Sequence, residues 1–181
     1  GDVDDLSAPA SILGPSLMAF AGGKVLLTWA DDRAGEEQAF EAFMEAVLVN
    51  RKRYPQSRIY HYAHYEKTAL KKLAARTGKY EYELMLLIET GVFVDLYKLV
   101  DKALVISEER YSIKNLENFY EFDRSSDVKE AMGSMEFYDK YLSTLAEDED
   151  AAEKLKRQVI AYNRDDCAST LALYKWLLDL T

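Results

Sequence analysis

The sequence has few of the residues that mark several classes of protein. It contains one cysteine, Cys167, and two histidines, His61 and His64. A single cysteine cannot form an internal disulfide, and with two histidines it leaves no zinc site built from cysteine and histidine. No apolar run approaches the length that crosses a membrane, and no charged-then-apolar leader marks secretion. We therefore expect a cytoplasmic protein that has no membrane partner.

The sequence also has fewer basic than acidic residues. Its 23 basic and 32 acidic residues give a formal net charge of −9. This balance argues against a general basic surface for nucleic acid. It does not exclude a nuclease, because such an enzyme carries carboxylates for metal ions and the metals attract the phosphate.

The length and composition predict one folded domain over residues 1–181. Of the 181 residues, 49% are hydrophobic and 12% aromatic, which is enough to bury a substantial core. Residues 1–15 are acidic and then interrupted by proline and glycine, and they predict a loop. No internal repeat and no domain linker is evident.

The order of elements predicts an α/β fold. Apolar runs at 16–20 and 25–29, on either side of a turn that contains glycine, indicate a β-hairpin. Further strands are expected at 58–62 and 92–94. Helices are expected at 36–53, 66–76, 80–90, 112–119, 129–145 and 151–178. An antiparallel pair that leads into βα units predicts a mixed sheet flanked by α-helices.

The last predicted helix carries the first candidate site residues. Tyr162 and Asp166 are four residues apart and project from one helix face. A carboxylate there can hold a metal ion while the phenol orients the attacked phosphate or the attacking water. The alternative is a surface aspartate beside a core tyrosine.

Other candidates follow the two later strands. Glu66 begins a helix after a strand, where a carboxylate benefits from the helix N-terminus, and it is otherwise an ordinary N-terminal charge. Asp95 follows a buried strand and is expected to cap the next helix. Ser112 is expected to cap another helix. Lys114 in its first turn could reach a phosphate, or simply be solvated.

Four segments in this order carry a family resemblance: IYHYAHYEKTALKKLA, VFVDLYKLV, YSIKNLENF and YNRDDCASTLALYKWL. From about Trp29 to the C-terminus, the chain resembles the ribonuclease H-like domain of predicted RecB-type nucleases, within the DEDD superfamily of 3′–5′ exonucleases. In that family the domain often accompanies a helicase or a second nuclease domain. The expected partner is an end of single-stranded DNA or RNA.

The resemblance implies a two-metal plan with four acidic ligands in three motifs. Glu66 stands where the second motif usually has aspartate, and Asp166 supplies the third-motif carboxylate. Tyr162 marks the tyrosine-bearing branch, and Asp95 matches an aspartate that supports the fold and site more than it binds metal. Oxygen ligands of this kind suit Mg²⁺ or Mn²⁺.

The sequence departs from that family at its first motif, an Asp-x-Glu on the opening strand. We find no such motif, which removes two ligands and the central strand, and the chain lacks an initiator methionine, as a fragment would. Asp2 and Asp4 could stand in as ligands, and residues 2–6 or 11–13 could replace the strand. Two functions therefore remain open: a metal-dependent nuclease, or an inactive ribonuclease H-like module that positions nucleic acid or docks a neighbouring domain.

Overall fold

The structure is a computed structural model that describes residues 14–19, 25–63, 65–105, 107, 111–125 and 134–180. Asp2, Asp4 and the segments 2–6 and 11–13 lie outside the described residues, as do the hairpin turn at 21–24 and the start of the helix predicted at 129–145.

The chain enters the described structure in a β-hairpin, as predicted. Strand β1 (Gly14–Ala19) pairs antiparallel with β2 (Val25–Ala30), in a register that runs from Gly14 opposite Ala30 to Ala19 opposite Val25. Gly14 and Pro15, which we expected in the N-terminal loop, therefore belong to a strand. Pairing overrides their weak strand propensity, and a proline without N–H is tolerated where a strand has a single partner.

The second pair of strands is parallel. Strand β3 (Ile59–His61) pairs with β4 (Phe93–Asp95), with Ile59 opposite Phe93 and His61 opposite Asp95. Helix α1 (Arg33–Arg53) precedes β3, and helices α2 (Tyr65–Thr77) and α3 (Glu81–Glu89) make the connection to β4. This arrangement places the carboxyl ends of both strands, where α/β proteins build sites, on one edge.

The two pairs do not form the single mixed sheet that we expected. Within the described residues they are two separate two-stranded sheets. Helix α7 (Glu149–Asp179) contacts both β1 and β3, and helix α6 (Ser134–Leu145) packs along it. Each described strand bonds to one partner only, so the helix, and not a shared ladder of hydrogen bonds, connects the pairs.

The middle of the chain differs in detail from the prediction. Helix α4 (Leu96–Ala103) begins directly at the end of β4. For this region we predicted only that Asp95 caps the next helix, and we gave that helix no range. The single helix expected at 112–119 is one α-helical turn, α5 (Ile113–Leu116), followed by a 3₁₀ turn (Glu117–Phe119). The predicted Ser112 cap is confirmed, since its hydroxyl accepts from the Asn115 N–H.

Three apolar clusters hold these elements together. The first joins α1, α2, α3 and β4 around Phe40, Met44 and Leu84. A second cluster joins α4, α5 and α7 through four buried residues: Leu96, Val100, Leu116 and Leu173. The third packs Tyr138 and Tyr141 of α6 against Trp29. None of the helices that the structure describes is both long and apolar enough to span a bilayer.

We predict that Leu173→Ala lowers the free energy of unfolding by about 2–5 kcal/mol, because it leaves a cavity in the cluster that joins α7 to α4 and α5. Leu171→Ala on the same helix removes an exposed side chain and should change that free energy by less than about 0.5 kcal/mol. Urea denaturation measures both. Equal effects of the two substitutions would contradict the packing described here.

Candidate functional site

Helix α7 presents Tyr162 and Asp166 one turn apart, as the spacing predicted. The ring of Tyr162 is contacted by two cations. The Lys114 ammonium nitrogen lies 5.1 Å from the ring centroid, and the Arg124 guanidinium carbon lies 5.3 Å from it. Both contacts lie in the range of cation–π attraction. The structure thus brings together three of the predicted site residues, Lys114, Tyr162 and Asp166, with an arginine that the sequence did not point to.

Arg124 connects two carboxylates. Its Nη1 lies 2.8 Å from Asp166 Oδ1. Its Nε donates to both carboxylate oxygens of Glu117 at 3.1 and 3.0 Å, and its Nη2 donates to Glu117 Oε1 at 2.7 Å. This is the fork geometry in which an arginine binds a carboxylate most strongly. The predicted metal ligand Asp166 therefore already has a cationic neighbour.

Glu117 is buried, and its remaining hydrogen bonds explain how its charge is tolerated there. The Ser169 hydroxyl of α7 donates to Glu117 Oε1 at 2.7 Å, and it lies 2.8 Å from the Tyr120 hydroxyl. A buried charge is tolerated when it is paired and hydrogen-bonded. Burial also raises the pKa of Tyr120 to about 12, against the opposing effect of its hydrogen bond with Ser169. The phenol therefore stays neutral at physiological pH.

The environment of Asp166 favours a cation. Burial raises the pKa of its carboxyl group above the usual range, while the adjacent guanidinium of Arg124 and the charge of Lys114 oppose this shift. The side chain is still 39% exposed. Because burial penalises the ionised form, a positive group nearby favours the charged carboxylate.

Glu66 lies in the first turn of α2 with its side chain 49% exposed. Its Oε2 is 3.7 Å from Nδ1 of His61, the buried last residue of β3. Burial raises the pKa of the half-buried Cys167 thiol to about 12, and the charges of Asp166 and Glu66 act in the same direction. Both predicted carboxylates thus lie within electrostatic range of one thiol.

Asp95 has the capping role that we predicted for it. Its Oδ1 accepts from the Tyr97 N–H at 3.1 Å at the start of α4. The same oxygen accepts from the Ala63 N–H at 2.9 Å. Ala63 adopts a left-handed backbone with φ of 66°, a conformation that is unfavourable for a residue with a side chain. The hydrogen bond that Ala63 donates to Asp95 therefore holds the turn that leads from β3 to Glu66.

Lys114 is placed by the loop contacts that precede it. The Tyr62 hydroxyl, just after β3, donates to the Tyr111 carbonyl. The Ser112 cap then begins the short helix that carries Lys114. The residues just after β3 thus contact the loop that precedes Lys114 and lead into the helix that carries Glu66.

The donor set suits a hard cation only in part. No group of three or more histidine, cysteine or acidic side chains within the described ranges could hold a metal ion. By the type and number of their donor atoms, Glu66 and Asp166 would be enough for a single Mg²⁺ or Mn²⁺, since Mg²⁺ is commonly bound through one or two carboxylates with water completing its shell. They do not fit a pair of cations.

Sequence reasoning missed Arg124, Glu117 and Ser169. Glu117 and Ser169 stand inside two of the motifs that we quoted, but their contact joins distant parts of the chain. Arg124 lies in an irregular segment after the 3₁₀ turn, where no periodicity assigns a direction to its side chain. The signal that the sequence offered was a glutamate among apolar residues in a predicted helix, because a carboxylate buried there would require a cationic partner.

A family model of the RNase H superfamily matches residues 12–178, nearly the whole chain. No curated protein and no solved structure matches it.

We predict that Cys167 in the folded, metal-free protein reacts with iodoacetamide at pH 8 at least roughly a hundredfold more slowly than a free thiol. The thiolate is the reacting form, and a pKa of about 12, against about 8.5 for a free cysteine, leaves very little of it. The rate should rise about tenfold per pH unit and should become ordinary in denaturant. Mass spectrometry of the alkylated protein measures it.

Substitution tests the placement of Glu66 in the same assay. Glu66→Gln removes a negative charge that raises the thiol pKa and should speed alkylation several-fold. Glu81→Gln in the first turn of α3 removes an exposed charge from another helix and serves as the control. Equal rates for the two variants would mean that Glu66 does not face Cys167.

Proposed function

The chain belongs to the RNase H superfamily, and from this membership we propose that it is a metal-dependent nuclease domain that hydrolyses phosphodiester bonds of DNA or RNA. We further propose the DEDD plan, with 3′–5′ exonuclease action on an end of a single strand. The domain would work in the cytoplasm as part of a larger RecB-type nuclease or nuclease–helicase protein.

The observation that carries the proposal is the grouping of Asp166, Tyr162 and Lys114, with Glu66 close enough to act electrostatically on Cys167, the residue next to Asp166. Glu66 and Asp166 would hold Mg²⁺ or Mn²⁺, and such a cation lowers the pKa of bound water and neutralises phosphate charge. The Lys114 ammonium would bind a phosphate oxygen. The Tyr162 phenol, one turn from Asp166, would donate a hydrogen bond that orients the phosphate.

The full two-metal plan needs more carboxylates than this group offers. Asp2 and Asp4 are the candidates that the sequence supplies, and their contribution is part of the proposal. An alternative function is an inactive ribonuclease H-like module that positions nucleic acid or docks a helicase or nuclease domain. This alternative requires a permanent contact of Arg124 with Asp166, in which the guanidinium provides the positive charge there in place of a metal ion.

We predict that the chain shortens a 5′-labelled single-stranded oligonucleotide from its 3′ end in Mn²⁺, and that Asp166→Asn lowers the rate at least about a hundredfold. The amide keeps the shape of the side chain but loses the charge that binds the cation. Asp179→Asn, an exposed change on the same helix, is the control and should keep the wild-type rate. Gel electrophoresis of timed samples measures the products.

The outcomes separate the two functions. An oligonucleotide with a blocked 3′ end should resist degradation, and its degradation would contradict the 3′–5′ direction. Full activity of Asp166→Asn would show that the site is assigned wrongly. If the wild-type chain binds the oligonucleotide but leaves it intact in Mn²⁺, the inactive module is the correct function.

A further inference from the structure

We propose that Arg124 is a tethered counter-cation of Asp166, which a divalent cation must displace before it can bind that carboxylate. The proposal rests on the proposed function, because it assumes that Asp166 is a metal ligand. It assigns a role to a residue outside the proposed metal site: Arg124 lowers the affinity of the site for metal and returns to Asp166 when the metal leaves.

The two carboxylates that Arg124 contacts hold it unequally. Glu117 receives three hydrogen bonds of 2.7–3.1 Å from Nε and Nη2. Asp166 is contacted only by Nη1, at 2.8 Å, and this buried nitrogen makes no directed hydrogen bond. The contact with Asp166 is therefore a charge attraction with poor alignment, whereas the contact with Glu117 is a well-formed fork. The weaker contact is the one that a competing cation would break.

Hydrogen bonds of its partner Glu117 and of the next residue, Ser125, hold Arg124 beside α7. Glu117 is buried and also accepts from the Ser169 hydroxyl on α7. The residue after Arg124 is bonded to the same helix, since the Ser125 hydroxyl donates to Asp165 Oδ1 at 2.8 Å. Breaking the contact with Asp166 leaves these bonds intact, so Arg124 stays beside the site and does not swing into solvent.

Charge explains why the exchange favours a divalent ion. Asp166 is partly buried, and Arg124 acts on it more strongly than Lys114 does. A guanidinium brings one delocalised positive charge to the carboxylate, whereas Mg²⁺ or Mn²⁺ brings two charges in a compact ion. The competing interaction is thus strong enough to reduce metal affinity and weak enough to be displaced.

The test is a Mn²⁺ titration of the full chain, with free Mn²⁺ followed by electron paramagnetic resonance. The double variant Glu117→Gln/Arg124→Met removes both charges of the fork, so net charge is unchanged and no buried charge is left alone. We expect it to bind Mn²⁺ on the order of tenfold more tightly than the wild type, because the competing cation is gone. Adding Asp166→Asn to the double variant should abolish the gain.

The control is Arg58→Met. The Arg58 guanidinium donates to the Gly91 carbonyl at the opposite end of the parallel strand pair, so its removal should leave Mn²⁺ affinity unchanged. A gain from Arg58→Met equal to that of the double variant would mean that the gain does not depend on removing the guanidinium beside Asp166, and would overturn the proposal.

A measurement on the wild-type chain covers the case in which the double variant fails to fold. Saturating Mg²⁺ should shift the ¹⁵N side-chain signals of Arg124, and the shift should be absent in Asp166→Asn. Unchanged Arg124 signals, or equal Mn²⁺ affinity of wild type and double variant, would overturn displacement while Asp166-dependent Mn²⁺ binding still supports the nuclease. Absence of Mn²⁺ binding in the wild type and in every variant would overturn both.

Discussion

Helix α7 is the element on which both the fold and the candidate site depend. Its 31 residues span roughly 46 Å. Along this length it contacts β1, β3, α4, α5 and α6. A two-stranded sheet is marginally stable alone and needs a covering surface. Because the described strands form two such sheets, the helix that packs on both is what makes them parts of one structure.

The same helix carries the polar cluster. Leu173 is buried in the core, and Ser169, one turn before it, bonds to Glu117. Asp166 and Tyr162 follow toward the N-terminus and contact Arg124. The site therefore extends along the helix away from the buried Leu173, and the position of each polar group depends on the neighbouring group that is nearer to the core. Removing Arg124 alone would leave Glu117 buried without its counter-charge, a loss that typically costs about 3–5 kcal/mol.

The parts of this arrangement that the sequence predicted are those governed by local periodicity. The hairpin, the long helices and the register of Tyr162 with Asp166 follow from spacing that one element contains. The range of helix α4 was not predicted, although a cap at Asp95 was, because Asp95 ends a strand and caps a helix at once, with no loop between them. The division into two sheets was also not predicted, since strand pairing depends on contacts between distant segments.

Arg124 illustrates why the site was predicted less completely than the fold. It lies in an irregular segment, and its partners Glu117 and Asp166 belong to two different helical elements. The helical spacing of Tyr162 and Asp166 correctly grouped two residues, yet spacing on one helix cannot reveal a cation that approaches from another segment. A buried carboxylate such as Glu117 requires a partner, but the requirement does not identify which arginine meets it.

The two candidate functions differ in one physical quantity, the strength of the Arg124–Asp166 contact relative to a divalent cation. A permanent ion pair would make the guanidinium a substitute for the metal and the chain an inactive module. The observed contact has a short distance but no directed hydrogen bond, while the Glu117 fork satisfies most of the guanidinium donors. If the contact were permanent, we would expect the guanidinium donors of Arg124 to be aligned with the oxygens of both Glu117 and Asp166. The unequal geometry therefore favours an exchangeable contact, and with it a site that releases Asp166 to a metal ion.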